Sequence, residues 1–298
     1  MTTHSHRGAK ALFVGLATVD LSYSVDKIPG RNEKISVPGQ YIAAGGPATN
    51  AAVTFAFLGG RSTLVTAVGS HSLAEVIRRD LTCSAVVLHD VASRQQEPPP
   101  VSSILVLRRT GERTVVSANA AAFSCIKPTF NSRWLTDVSI VQVDGHYMSL
   151  CIAAARLAHA RGIAVVLESG SWKDGMSELL SFVDTAICAD DFRPPGCRDN
   201  ADIFEFLAAQ GIRRVAITRG AASILFEDGR KSGKVAVEKI RPKDTLGAGD
   251  IFHGAFCYYA CQPNQTFRDA LVAAARVATF SCRHPGTRSW MLKKSLRF

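Results

Sequence analysis

Two hydrophobic rhythms alternate along the chain. Short, nearly continuous apolar runs are separated by longer segments in which apolar residues return every three or four positions. The first rhythm reads as strands buried on both faces and the second as amphipathic helices. KALFVGLATVD (10–20) opens as a strand and is expected to end at Asp20. Residues 24–46 alternate polar and apolar positions between Pro and Gly breaks, the pattern of a small antiparallel excursion. PATNAAVTFAFLG (47–59) has helical spacing, STLVTAVG (62–69) is strand-like and SLAEVIRRDL (72–81) helical; residues 100–118 form a hairpin turning at Thr110-Gly111.

From residue 138 the alternation is regular. Strands are expected at 138–145, 163–169, 185–190 and 213–220, helices at 149–162, 174–183 and 200–211. A second hairpin (222–229 with 231–240) and two helices (249–262 and 267–283) follow. Such alternation specifies a single α/β domain spanning 1–298, with a mostly parallel sheet covered on both faces. Ligands of these sheets bind beyond the C-terminal strand ends. Asp20, Gly45-Gly46, Gly145, Glu168, Asp190 and Gly220 all fall there in this reading.

Composition adds exclusions. Hydrophobic residues make up 47% and charged residues 20%, a globular balance. The polar start lacks a secretory pattern, and no uncharged apolar stretch is long enough to span a bilayer. The eight cysteines form no CxxC pair and read as reduced thiols of a cytoplasmic protein. Cys257 and Cys261 share a helix face and Cys282 precedes His284 by two residues; core packing suits them better than a metal. The net charge is +10, yet the basic pairs (Arg78-Arg79, Arg108-Arg109, Lys293-Lys294) never lengthen into a run. That argues against a nucleic-acid partner and fits an anionic small substrate.

The candidate chemistry lies in KDTLGAGDIFHGAF (243–256). Gly247, Ala248 and Gly249 leave backbone N–H groups unobstructed just before a helix start, which makes an anion hole. Asp250 in the first turn is either a helix-capping carboxylate or a general base that takes a proton from an attacking hydroxyl. No GxxxxGK[ST] phosphate loop occurs.

DTLGAGDIFHGAF resembles the C-terminal signature of the ribokinase-like carbohydrate kinases, the phosphofructokinase-B type, and GGPATNAAVTFAFLGGRSTLVTAVG (45–69) resembles their other signature. The likeness extends over nearly the whole chain. It implies a ribokinase-like three-layer sandwich with a nine-stranded sheet and a small β-lid, here 21–44 and 98–118. It also implies transfer of the ATP γ-phosphate to a sugar hydroxyl with magnesium. By the same resemblance Asp250 is the base and Gly247, Ala248 and Gly249 the anion hole. Asp20, Gly45, Gly46 and Asn50 hold the sugar; Thr218, Gly220 and Thr245 meet the nucleotide; Glu168 lies near the metal. One departure stands out: the NxxE element of the family is replaced by Ala189-Asp190-Asp191-Phe192, leaving Asp190 or Asp191 as substitutes.

ATFSCRHPGTRSW (278–290) is similar to sulfofructose kinase and, less closely, ketohexokinase, which favours a ketose. Lys34, Arg108, Arg113, Asn119 and His146 are candidate sugar contacts, arginine suiting an anionic group through its planar fork. His253, one turn after Asp250, faces the same side. A nucleoside kinase of the same fold and a silent sugar-binding protein are the alternatives. The family also implies a homodimer formed through the lid.

Overall fold

The structure, a computed structural model, describes residues 8–120, 123 and 129–292; Cys125, Lys293 and Lys294 lie outside them, as does the start of the chain (1–7). Thirteen strands and seven α-helices follow one another. β1 (Lys10–Val14), β2 (Thr18–Val25), β3 (Gln40–Gly45), α1 (Pro47–Phe57), β4 (Arg61–Thr66), α2 (Ala74–Cys83) and β5 (Val86–Asp90) form the first part. Next come β6 (Val101–Leu107), β7 (Arg113–Ser117), β8 (Ile140–Val143), α3 (Met148–Ala160), β9 (Ala164–Ser169), α4 (Met176–Leu180), β10 (Thr185–Ala189), α5 (Asn200–Ala209) and β11 (Arg214–Arg219). The hairpin β12 (Ala222–Asp228) and β13 (Lys231–Val235) precedes α6 (Ala248–Ala260) and α7 (Phe267–Ser281).

Nine strands make the central sheet in the order β13-β12-β11-β10-β9-β8-β1-β4-β5, parallel except for the β12–β13 hairpin. Period-two alternation sends successive residues of each strand to opposite faces. In β1, Ala11 and Phe13 join the core under α1, α2, α6 and α7, while Leu12 and Val14 join the core under α3, α4 and α5. The three layers expected from the sequence are therefore present. β3-β2-β6-β7 form a separate four-stranded sheet, the lid, within the 21–44 and 98–118 segments apart from the first residues of β2 and the last of β3.

The 10–20 reading is corrected in one respect. The run is two strands, and Asp20 lies on lid strand β2 rather than at the end of β1. The apolar character is continuous because both halves are buried, which conceals the break. Asp144, just past β8, fixes that break. A Cβ on Gly15 would fall 2.1 Å from its carboxylate, which accepts the Leu16 N–H at 2.8 Å and the Ala48 N–H at 3.2 Å. The edge strand β5 has no counterpart in the sequence reading, since Val87 is exposed and the buried-strand pattern is lost.

Candidate active site

Two helices from opposite ends of the chain create the centre. α1 and α6 pack closely because Gly254 has no side chain: a Cβ there would fall 2.3 Å from the Ala51 carbonyl oxygen. Asn50 adjoins Ala51 on α1, Asp250 lies one turn toward the N-terminus from Gly254 on α6, and Asn50 Nδ2 donates to Asp250 Oδ2 at 2.8 Å. α6 starts where Gly247 adopts φ 67, a left-handed conformation suited to glycine. A Cβ on Gly247 would also meet Thr287 Cγ2 at 2.8 Å and Asn50 Nδ2 at 3.4 Å.

Asp250 is partly exposed, yet burial is the main influence that raises its pKa. The Asn50 hydrogen bond, the Arg113 charge and a hydrogen bond with Glu168 oppose the rise. Glu168, at the end of β9, is pushed well above the ordinary carboxylate range by burial, then by the charges of Asp250 and Asp144. The Asp250 and Glu168 carboxyl groups are thus both raised by burial, and Glu168 is raised further by the charge of Asp250. Gln142 Nε2 donates to Glu168 Oε2 at 2.5 Å, and His253 Nε2 stands 4.0 Å from Glu168 Oε1. Burial lowers His253 to about 3, so its imidazole is neutral at physiological pH. His253 therefore packs beneath the site.

A second group of candidate residues is built on the lid. Asp20 is buried, with Thr18 Oγ1 donating to its Oδ1 at 2.6 Å. Burial raises its pKa, hydrogen bonds from Thr18 and Ser102 oppose this, and the nearby Asp250 charge adds to the rise. A Cβ on Gly45 would lie 2.0 Å from the Asp20 carboxylate, and one on Gly46 2.4 Å from the Leu16 carbonyl oxygen. Asn119 follows lid strand β7; its N–H donates to Ser117 Oγ, which Ser102 Oγ also reaches at 3.1 Å, linking Asn119 to Asp20. His146 is anchored by its N–H to Asp144 Oδ1 at 2.9 Å; burial lowers its pKa, and the Asp144 and Asp250 charges counter this. Arg108 grips Asp26 through two hydrogen bonds within the lid, and Lys34 is exposed in the β2–β3 loop.

At the start of α6, the Ala248 N–H returns to the Thr245 carbonyl at 3.3 Å, while among the described residues no protein acceptor meets the Gly249 or Asp250 N–H. Open space lies over Gly249. The lid reaches this loop. Gly111 O accepts the Thr245 N–H at 3.1 Å and its hydroxyl at 2.9 Å, and Arg113 Nη1 donates to Thr245 O at 3.2 Å. Thr218 is the last residue but one of β11, beside β10, its carbonyl accepting the Asp190 N–H at 2.9 Å, and Gly220 turns at φ 57 with open space around it. Glu168 and Thr218 are two strands apart, about 10 Å at the usual spacing.

Asp190 is exposed and shares one carboxylate oxygen with Asn200 at 3.0 Å. Among the described residues no group of three or more His, Cys, Asp or Glu residues is arranged to hold a metal directly. Cys257 is buried with its thiol toward Gln142 Oε1, as packing predicts. An exposed carboxylate beside a phosphate-facing turn suits magnesium, which keeps most of its waters. Asp190 fits that role better than Glu168, whose carboxyl group is engaged with Asp250 and Gln142.

Three residues escaped the sequence reading: Asp144, Asp80 and Arg288. The Arg288 guanidinium donates to Asn50 Oδ1 at 2.8 Å, Ala44 O at 2.9 Å and Asp80 Oδ2 at 2.9 and 3.2 Å. Asp80 appears in sequence as one more charge on an amphipathic helix, and only its burial against Arg288 distinguishes it.

The sequence pattern described as pfkB family carbohydrate kinase matches residues 9–294. A ribokinase from Lactococcus lactis is 24% identical over 96% of this chain and 95% of its own length, and a mouse ketohexokinase 22% over 91% and 95%. Among solved structures, a putative ribokinase from Agrobacterium tumefaciens superposes with a TM-score of 0.85 at 24% identity, covering 95% of this chain and 94% of its own. Arabidopsis thaliana ribokinase complexed with ribose and ATP gives 0.76 at 21% identity, over 97% and 99%. A putative ribokinase II from E. coli in complex with ATP and magnesium gives 0.78 at 16%, over 95% and 96%. With the nine-stranded sheet, the lid and the paired signature helices all in place, a match over almost the entire length makes this chain a member of the pfkB family of carbohydrate kinases.

Proposed function

We propose that the protein transfers the γ-phosphoryl group of ATP to a hydroxyl of a small sugar, with a ketose of the fructose or sulfofructose type as first choice. The observation that carries the reading is the Asp250 carboxylate, held by Asn50 beside two backbone N–H groups without protein acceptors. Asp20, Asn119 and His146 orient the sugar from the lid side, with Gly45 and Gly46 letting it approach the backbone. Asp250 then takes the proton of the attacking hydroxyl as its oxygen bonds to phosphorus and the bond to ADP breaks. The Gly249 and Asp250 amides receive the growing negative charge of the phosphoryl oxygens, where one well-aimed donor is worth about 3 kcal/mol. Magnesium, when bound with the nucleotide, supplies charge neutralisation; Asp190 is placed to hold its waters, beside Thr218 and Gly220. The ketose preference is supported by the 278–290 segment and by the ketohexokinase likeness.

The test is ATP consumption against fructose, sulfofructose, fructose phosphates, ribose, deoxyribose and adenosine, by wild type and Asp250→Asn. Turnover of a ketose, lost by orders of magnitude in the variant, is the expected result. Equal turnover by both proteins rejects Asp250 as base. Selective turnover of adenosine makes the protein a nucleoside kinase, and sugar binding without turnover makes it a silent binder.

The lid's outer side exposes Val116 (72%) and Ile42, which lie in one cross-strand row, an apolar face that a second lid would cover. A homodimer through the lid is therefore proposed, to be read by sedimentation; a monomer at micromolar concentration rejects it. Among the described residues no helix is long and apolar enough to cross a membrane. A cytoplasmic setting is proposed, since the reaction requires ATP.

A further inference from the structure

Arg288 lies on the C-terminal segment after α7, outside both signature helices, and the proposed chemistry makes no direct use of it. Its side chain is largely buried, with Nε, Nη1 and Nη2 all engaged by protein acceptors. A guanidinium so occupied is not a free anion clamp for substrate. Asp80 of α2 holds it from one side and itself accepts the Ala44 N–H at 3.1 Å. From the other side Arg288 meets Asn50, whose amide stands between a group that only donates and a carboxylate that only accepts. Chemistry therefore fixes the amide orientation: oxygen toward Arg288, NH₂ toward Asp250.

We propose that Arg288, braced by Asp80, is a positioning residue that locks the Asn50 amide so that it holds the Asp250 carboxylate in its reactive orientation. Without it the amide is free to turn about its last torsion, which presents oxygen to oxygen at Asp250 or swings the donor away. A lysine does not replace it, because a single ammonium cannot reach Asp80, Ala44 O and Asn50 Oδ1 together in a planar fork. The inference rests on Asp250 acting as base, and its test has one arm independent of that reading.

The experiment compares wild type, Arg288→Met, Arg288→Lys, Asn50→Ala, the Arg288→Met/Asn50→Ala double variant and Arg288→Met/Asp80→Asn. The last removes the uncompensated carboxylate in case Arg288→Met alone folds poorly. With the best sugar of the panel, Arg288→Met and its Asp80→Asn partner are expected to lose kcat by about 10- to 100-fold, with little change in KM for ATP. Arg288→Lys is expected to remain similarly impaired. The double variant is expected to be no worse than Asn50→Ala alone, because both substitutions break the same link. Multiplying losses in the double variant, or a change confined to KM, overturns the proposal. The independent arm uses selective ¹⁵N-asparagine labelling. The Asn50 side-chain NH₂ resonances should be protected from exchange in the wild type and lose that protection in Arg288→Met/Asp80→Asn. Unchanged protection overturns the proposal even if no substrate is found, whereas lost protection in a protein without turnover sinks only the kinase reading.

Discussion

At the scale of single residues, the centre is a set of buried carboxyl groups whose neighbours set their acidity in different ways. Burial raises Asp20, Glu168 and Asp250 alike, and hydrogen bonding separates them. Asn50 donates to Asp250 and so stabilises its anion. Because the pKa of Asp250 stands above that of an ordinary aspartate, activity should fall as the pH drops through that raised value. Replacing Asn50 with Ala removes a stabiliser of the charged form and raises the pKa further. The acid limb of the kcat/KM profile is therefore expected to move to higher pH in Asn50→Ala, so that the loss is larger at low pH than at high. A pH-independent loss would mean that Asn50 serves only to bind. Gly247, Ala248, Gly249 and Asp250 stood out in the sequence because their spacing before a helix start has a mechanical reason; Asn50 was singled out only through the family resemblance, as a sugar contact and not as the partner of Asp250. Arg288 and Asp80 were not, since a charged residue in a loop and another on a helix acquire meaning only when 208 positions of separation collapse into an ion pair.

At the scale of elements, the crossing of α1 and α6 sets the distances. Ala51 and Gly254 are the small residues that let the backbones approach; Asn50 adjoins the first and Asp250 lies one turn from the second. Gly254→Ala gains about 1 kcal/mol of helix propensity. It also places a methyl group against the Ala51 carbonyl, and such overpacking costs about 1–3 kcal/mol. Thermal melts are expected to show a lower Tm, and kinetics a reduced kcat, because α6 must shift from α1. A higher Tm with full activity would show that the helices are not in tight register. Most elements were readable from periodicity: the regular alternation after residue 138 corresponds to β8 through β11 with their helices. The reading failed where burial was continuous, at the β1–β2 junction, and where it was one-sided, at the edge strand β5. Hydrophobic pattern records how buried a segment is and not which sheet covers it.

At the scale of the whole molecule, the lid and the anion hole meet through a few bonds. Gly111, in the turn between β6 and β7, accepts both the amide and the hydroxyl of Thr245, and Arg113 reaches the same threonine. The surface proposed to cover the sugar is thereby tied to the loop proposed to receive the phosphate. No pattern within the lid sequence announces that tie, because its partner lies 134 positions further on. The same long reach governs how the centre comes into being. Asn50 and Asp250 are 200 positions apart, and Asn50 and Arg288 are 238. Contacts so remote require nearly all the intervening chain to be in place, whereas helices and hairpins need only their neighbours. On dilution from denaturant, far-ultraviolet circular dichroism should recover well before phosphotransfer does. Simultaneous recovery would show that the two ends meet early. A delayed return of activity, by contrast, would time-stamp the final event of self-assembly, the meeting of its most distant parts.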